Sequence, residues 1–310
     1  MRRFNCFSRQ THARHPCSNM KVLIFRGVAL SLIFLCGLLI AAPIASGRWD
    51  VPQTAKPTIW SRSSSGKAVV ATAQPSPTPV PLPDHARVPI LMYHYVSELP
   101  PNADRYRRDL TVTPDKFVAQ MQYLSDAGYH TITLTDLYRY LTQGYPLPEK
   151  PIVLTFDDGY WDAYEIVFPI LLEHGFTGAF FVLATPAHFE SPDYLTWQQM
   201  QEMSDAGMDI QAHGRDHVDL RGRSYDYLIY QVVGIQEAIH YHSGHLPRFF
   251  CYPGGKYDAN VIDVLESTGY WGAVTTAWGD THTLDRLYEM PRLRVRGAGT
   301  LESFIGMLEQ

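Results

Sequence analysis

From residue 88 onward the chain alternates short apolar runs with amphipathic stretches about one helix long, and that alternation points to a parallel α/β architecture. Apolar strands are predicted at 88–93, 131–134, Pro151–Phe156, 178–183, 208–212, 249–252, 272–275 and 293–295, so seven or eight are available. Between them, Thr113 and Pro114 start a helix whose buried face carries Phe117, Met121 and Leu124. Thr135 opens the next, and Thr196 with Gln199 forms a capping box for another. Leu228, Val232, Ile235 and Ile239 line one face of a long helix, leaving His240 and His242 on the solvent side.

The strand Pro151–Phe156 runs into Asp157 and Asp158, and Gly159 then turns the chain away. One acid suffices to cap the helix expected near Trp161. Two adjacent carboxylates at the end of a buried strand repel each other, and a cation beside them relieves the repulsion. At this point a pair of caps and a metal or catalytic site both remain open. A second strand end adds weight: 208–212 leads into His213 and His217, whose four-residue spacing lets both imidazoles face one point. Two histidines and one carboxylate, with positions left for water, is the composition of a catalytic metal site.

Together TFDDGYWDAY, HGRDH, RFFCYPGGKYD and MPRLRV, with the opening VPILMYHYV, resemble the polysaccharide deacetylases of the NodB-homology class, and within it the branch containing poly-N-acetylglucosamine deacetylases. The resemblance runs from about residue 88 to the C-terminus. It implies a distorted (β/α) barrel and metal-dependent removal of acetyl groups from N-acetylated sugars. Barrel enzymes place their chemistry at the C-terminal ends of the strands, where His94, Asp157, Asp158, His213 and the stretch from Cys251 to Gly255 would all fall.

Carried over position by position, the resemblance makes Asp158, His213 and His217 the ligands of a divalent metal, zinc first and cobalt or nickel next, and leaves Asp157 as general base. Two family positions differ. Cys251 stands where an arginine usually tethers the base, and Gly254 replaces an aromatic residue, although its backbone N–H can still serve an oxyanion. Arg292 is the candidate to restrain Asp157 instead, with an ordinary surface ion pair as the alternative. The segment 291–297 also lacks the histidine that acts as general acid in much of the family. His94 is the candidate replacement, against a purely structural role, and His282, in what reads as a polar loop, is second. Tyr160, Trp161, Tyr252, Trp271 and Trp278 fall in or near the expected rim loops, where aromatic faces can cover sugar rings.

The N-terminal part has a different character. Residues 1–27 carry Arg2, Arg3, Arg9, Arg14, Lys21 and Arg26 with no acid, and 28–44 is a nearly unbroken apolar run. Segment 28–46 therefore reads as a cleaved signal peptide or a retained membrane anchor, with 1–27 as its basic cytoplasmic side. Met20 followed by Lys21 offers an alternative start. Segment 47–86, rich in serine and proline, reads as a disordered linker, and 87–310 as the deacetylase domain. The domain is thus expected outside the cytoplasm, secreted or held at the membrane. Of Cys6, Cys17, Cys36 and Cys251, the last alone falls in the domain, so no disulfide framework is expected. The whole chain carries 26 basic and 31 acidic residues, and all six charges before residue 47 are basic, so the remainder is net −11. That balance argues against nucleic acid as a partner and suits an N-acetylated polysaccharide, which becomes cationic as it loses acetyl groups.

The expected activity is hydrolysis of N-acetyl groups on an N-acetylglucosamine-containing glycan. Two rivals stay open: an O-acetyl esterase acting on xylan-like glycans, and a glycan-binding pseudoenzyme that keeps the barrel without the activity.

Overall fold

A computed structural model describes residues 82–309; segments 1–27 and 28–46 and the linker through residue 81, which carry the expectations of export and anchoring, lie outside the described residues. Eight parallel strands are labelled β1 (Ile90–Tyr93), β2 (His130–Thr131), β3 (Pro151–Phe156), β4 (Ala179–Val182), β5 (Asp209–Ala212), β6 (Phe249–Cys251), β7 (Gly272–Trp278) and β8 (Met290–Arg294). Seven of them close a barrel in the order β1, β8, β7, β6, β5, β4, β3, with β3 pairing back onto β1. The eighth, β2, is added to the outer side of β3, so seven strands enclose the interior. The helices that matter for the site are α1 (Pro114–Asp126), α2 (Leu134–Gln143), α3 (Trp197–Asp205), α4 (Tyr225–Ser243) and α5 (Leu301–Leu308).

The two-residue period of a strand divides the side chains between two cores. From β3, Ile152, Leu154 and Phe156 join the larger apolar cluster with Phe117, Met121 and Leu124 of α1. Val153 joins a second cluster with Ile90, Ala179, Phe181, Phe249, Cys251, Val274 and Met290, one or more from each barrel strand but β5. Leu134, Leu137 and Leu141 of α2 belong to that second cluster, which places this helix across the N-terminal mouth as a plug. The interior is therefore largely apolar at that mouth, the exception being β5, where buried Gln211 is held by Asp209 and by the backbone N–H groups of Arg248 and Phe249.

Several expected boundaries shift for local reasons. The strand expected at 131–134 ends at Thr131, because Thr133, not Thr135, caps α2. The Thr133 hydroxyl accepts from Asp136 N at 3.1 Å while the Asp136 carboxylate accepts from Thr133 N at 2.9 Å, a reciprocal box that commits the chain to helix early. Thr196 and Gln199 form the same box at the start of α3, as the sequence suggests. Leu228, Val232, Ile235 and Ile239 of α4 are all buried, while His240 is exposed. The helix after the acid pair begins with a π-helical turn, Ala163–Val167, so Asp157 and Asp158 do not cap it.

His282 and Trp271 fall elsewhere than expected. His282 is buried in a two-stranded pairing of Thr281–His282 with Ala86–Arg87, its Nε2 2.9 Å from the Val88 carbonyl, beside the start of β1 and so at the N-terminal mouth. Trp271 precedes β7 and stacks on Tyr138 of α2, 5.0 Å between centroids, at the plugged end. A residue just before a barrel strand lies at the mouth opposite the chemistry.

After β1 the chain forms a short helix, Arg105–Leu110, that reaches the C-terminal mouth. It is strapped to the segment after β8: Arg296 Nη1 donates to both Asp109 oxygens at 2.8 and 2.9 Å, and Gly297 N donates to Asp109 O at 2.9 Å. The approach leaves no space for a side chain, since a Cβ on Gly297 would lie 2.2 Å from Thr111 O and 2.3 Å from Arg108 O. Gly297→Ala must push two backbone segments apart, costing about 1–3 kcal/mol. The expected result is a melting temperature lower by roughly 2–10 °C for a domain of this size. An unchanged melting curve would show that the strap yields freely.

Candidate active site at the C-terminal mouth

The strand period also delivers the reactive side chains. Val153, Thr155 and Asp157 share the inward parity of β3, His94 continues that of Ile90 in β1, and Arg292 continues that of Met290 in β8. Each is the last or nearly the last inward position before the open mouth. Asp158 has the wrong parity and would face outward on a continued strand. Its backbone is instead left-handed, φ 73°, followed by Gly159 at φ 71°, and this turn swings its carboxylate over the mouth. Such a conformation costs a non-glycine residue about 1–3 kcal/mol, and aspartate is among the side chains that tolerate it.

Asp157 is held by a buried arginine. Arg292 Nη1 and Nη2 donate to Asp157 Oδ1 and Oδ2, each at 2.7 Å. The guanidinium is itself fully engaged: Nη1 also donates to Thr155 Oγ1 at 2.9 Å, Nε to Thr275 O at 2.9 Å, and Nη2 lies 3.3 Å from Cys251 Sγ. Burial alone would raise the Asp157 carboxyl, but the Arg292 charge and hydrogen bonds outweigh it and hold the group below the usual carboxylate range. His94 is mostly buried, with Nε2 3.9 Å from Asp157 Oδ2; burial lowers its proton affinity in spite of the two aspartates. Cys251 thus occupies little room beside the carboxylate, and the guanidinium arrives from β8 into the space.

Asp158, His213 and His217 offer ligand atoms that all lie within 4.8 Å of one another. His213 Nδ1 donates to the Cys251 carbonyl at 2.6 Å, which orients the ring and presents Nε2 to Asp158 Oδ1 at 3.1 Å. His217 Nε2 lies 3.4 Å from the same oxygen. A neutral His213 held this way turns a lone pair toward a carboxylate oxygen, so the arrangement requires a proton or a cation between them. Ligands about 2.0–2.1 Å from a tetrahedral ion stand roughly 3.3 Å apart, in agreement with both spacings. The donor set therefore fits a divalent metal, and His217, about half exposed, leaves one side of it open. Burial raises the Asp158 carboxyl, but the His213 hydrogen bond and charge prevail and lower it strongly. For His213, burial is outweighed by Cys251 and Asp158 and the ring binds a proton more tightly than usual, whereas burial and the His213 charge lower His217.

Gly254 also walls the cavity, in a left-handed conformation with φ 60°, and nothing lies closer than 3.9 Å to where a side chain would start. The wall includes residues the sequence did not single out: Tyr106 and Asp109 from the short helix, Thr276 and Arg294. The strand period marks Thr276 and Arg294 as inward, whereas nothing local marks Tyr106. Tyr160 and Tyr252 border the same cavity. Asp162 lies behind it, buried, with Oδ2 accepting from Val96 N at 3.0 Å and Oδ1 unpaired. It ties the TFDDG segment to the backbone just after His94.

The family model described as polysaccharide deacetylase matches residues 144–273. The protein named "Putative polysaccharide deacetylase YxkH" of Bacillus subtilis is 31% identical over 210 residues, covering 68% of this chain and 72% of that protein. The poly-beta-1,6-N-acetyl-D-glucosamine N-deacetylase of Escherichia coli is 25% identical over 239 residues, covering 64% of this chain but 35% of that enzyme. Among solved structures, Streptococcus pyogenes deacetylase PplD in complex with acetate superimposes with a TM-score of 0.67 at 28% identity, covering 73% of this chain and 99% of that one.

Burial raises the Asp162 carboxyl to about 6, and the polar groups of Val96, Arg107, Ser97 and Ala163 around it compensate incompletely. A raised carboxyl means that the folded protein binds more protons than the unfolded one between about pH 4 and 6, so this group costs stability as pH rises through that window and the full penalty stands above it. Asp162→Asn keeps an acceptor for Val96 N–H and removes the charge. It should gain up to about 2–3 kcal/mol relative to wild type on going from pH 4 to pH 7.5. Denaturant melts at the two pH values measure this, and a pH-independent difference contradicts it.

Proposed function

Because the chain belongs to the polysaccharide deacetylase family of enzymes, we propose that it is a metal-dependent hydrolase removing N-acetyl groups from an N-acetylglucosamine-containing glycan of the cell wall or extracellular matrix. The observation that carries this reading is the convergence of Asp158, His213 and His217 beside an arginine-bound Asp157 at the open mouth. The printed activity of the Escherichia coli relative supports the glycan class. The basic segment 1–27 and apolar segment 28–46 support an extracytoplasmic location, secreted or membrane-held, and the stretch from 47 would be the spacer, ending before Ala86, which is paired with His282 and buried in the domain.

Asp158, His213 and His217 would hold the cation, zinc by donor type, with cobalt or nickel able to use the same set. Bound there, such an ion supplies a Lewis acid that makes water acidic near neutral pH and polarises an acyl carbonyl. Asp157 is then the acceptor for the water's proton. Each of its oxygens has two acceptor positions, and Oδ1 uses one on Arg292 Nη1, so the pairing leaves a position for water. Arg292 acts through Asp157 as a positioning residue. It fixes the carboxylate plane and keeps it ionised, which suits a base whose proton source is already acidic. Gly254 N–H, on the cavity wall, would donate to the developing oxyanion. His94 would return a proton to the departing amine; its low basicity makes it a willing donor once protonated.

Acetate release from β-1,4- and β-1,6-linked N-acetylglucosamine oligomers, peptidoglycan and acetylxylan, with and without chelator, tests the reading. Chelator-sensitive release from an N-acetylated glycan is expected. Release from acetylxylan alone would replace N-deacetylation by ester hydrolysis.

Two substitutions separate the roles. Arg292→Met should cut kcat by about 100-fold or more while the folded protein keeps its full metal content, with partial recovery in Arg292→Lys. Equal loss of metal and turnover would make the arginine merely structural. His94→Ala should depress hydrolysis of an amide much more than that of an activated ester, whose leaving group needs no proton; equal effects on both remove His94 as the acid.

A further inference from the structure

His94 and Asp157 leave neighbouring strands side by side. Tyr93 of β1 is in register with Phe156 of β3, and Asp157 N donates to Tyr93 O at 3.0 Å at the end of that ladder. Past this point the two chains separate: the one after His94 pairs Tyr95 and Val96 with Thr111 and Val112, while the one after Asp157 turns through the left-handed Asp158 and Gly159. Asp162 bridges them again, its Oδ2 accepting from Val96 N at 3.0 Å. We infer that Asp162 is a positioning residue, which holds His94 at its working distance from Asp157 by fastening the chain that leaves β1 to the chain that leaves β3. This rests on the roles given to His94 and Asp157 under Proposed function and adds a residue that neither the acid pair nor the histidines announce.

Asp162 is 1% exposed and stands outside the residues that wall the catalytic cavity, so whatever it does there passes through other side chains. Stability does not account for it, because its raised carboxyl is a cost to the fold above about pH 6. Proteins give up stability in this way where a site requires a fixed geometry. A carboxylate is also the stronger choice for that task, since a charge-assisted bond to a backbone N–H is roughly twice as strong as a neutral one. The bridged segment is fixed from its other side by Arg107, whose Nη2 donates to Ser97 Oγ and Nε to Thr111 Oγ1, both at 3.0 Å, while the guanidinium lies 3.2 Å over the Tyr95 ring. The Arg107 charge favours the ionised form of Asp162, the better acceptor. Val96 is thus held only two residues from His94, whose Nε2 stands 3.9 Å from Asp157 Oδ2. An acid and a base this close act on neighbouring atoms of one substrate, and a displacement of about 1 Å there lowers the rate by roughly 100-fold.

The test compares Asp162→Ala and Asp162→Asn in the full chain, on an N-acetylglucosamine oligomer and on an activated acetyl ester. Alanine removes the acceptor and should lower kcat for the amide by about 10- to 100-fold, with metal content kept and the ester rate changed by about 3-fold or less. Asparagine keeps an acceptor for Val96 N–H and should recover most of the amide rate. In a His94→Ala background, Asp162→Ala should add no further loss, since its effect passes through His94. No loss on the amide, an equal loss on amide and ester, or the same loss in the His94→Ala background overturns the inference. Crystal structures of the two variants supply a readout that needs no turnover: the separation of His94 from Asp157 should lengthen by about 1 Å in Asp162→Ala and stay as it is in Asp162→Asn. An unmoved His94 in the alanine variant overturns the inference. A His94 that moves in a protein releasing no acetate keeps the positioning role and removes the deacetylase reading, so the two failures are distinguishable.

Discussion

The pairing of Arg292 with Asp157 is the contact on which the site depends. It joins two residues 135 positions apart, one on β8 and one directly after β3, and both are almost wholly buried. Burying two charges is costly, and the cost is recovered only where every donor has a partner. Here both oxygens are met at 2.7 Å, and Thr155, the Thr275 carbonyl and Cys251 take the remaining guanidinium hydrogens. The pair can form because the barrel closes through β1: without the β3–β1 and β1–β8 pairings the two strands would not face each other across an interior.

That closure also sorts the polar from the apolar. The plug formed by α2 and the inward aliphatic and aromatic residues covers one mouth, and the paired acids and the histidines gather at the other. There the backbone separates two adjacent acids that are chemically alike. Asp157 keeps strand parity and meets the arginine, while the left-handed turn at Asp158 sends its carboxylate to His213 and His217. A single backbone rotation thus gives two neighbouring acids different partners. The Cys251 carbonyl completes the arrangement by fixing the His213 ring.

Much of this could be read in advance. The acid pair, His213 and His217 stood out because each group follows directly on an apolar run, and strand ends place such residues on one rim. Arg292 could be singled out only through the cysteine at 251, where a guanidinium was missing. His282 and Trp271 were read to the wrong place for identifiable reasons. Polar neighbours made His282 look like a loop residue, although two residues of pairing with Ala86–Arg87 suffice to bury it. Trp271 lies one residue before a strand, which in a parallel barrel is the far mouth. Tyr106 and Asp109 could not be read at all, since a short helix becomes a cavity wall only after Arg296 and Gly297 strap it down.

The sequence by itself determined that seven or eight strands alternate with helices, the apolar and polar parity along each, and the reactive groups that end them, because these follow from periodicity and chain order. Tertiary structure alone decided which arginine meets which aspartate, how far His94 stands from the base, and that Asp162 reaches Val96. Those depend on barrel closure and on backbone rotation at Asp158, and neither leaves a local pattern in the chain.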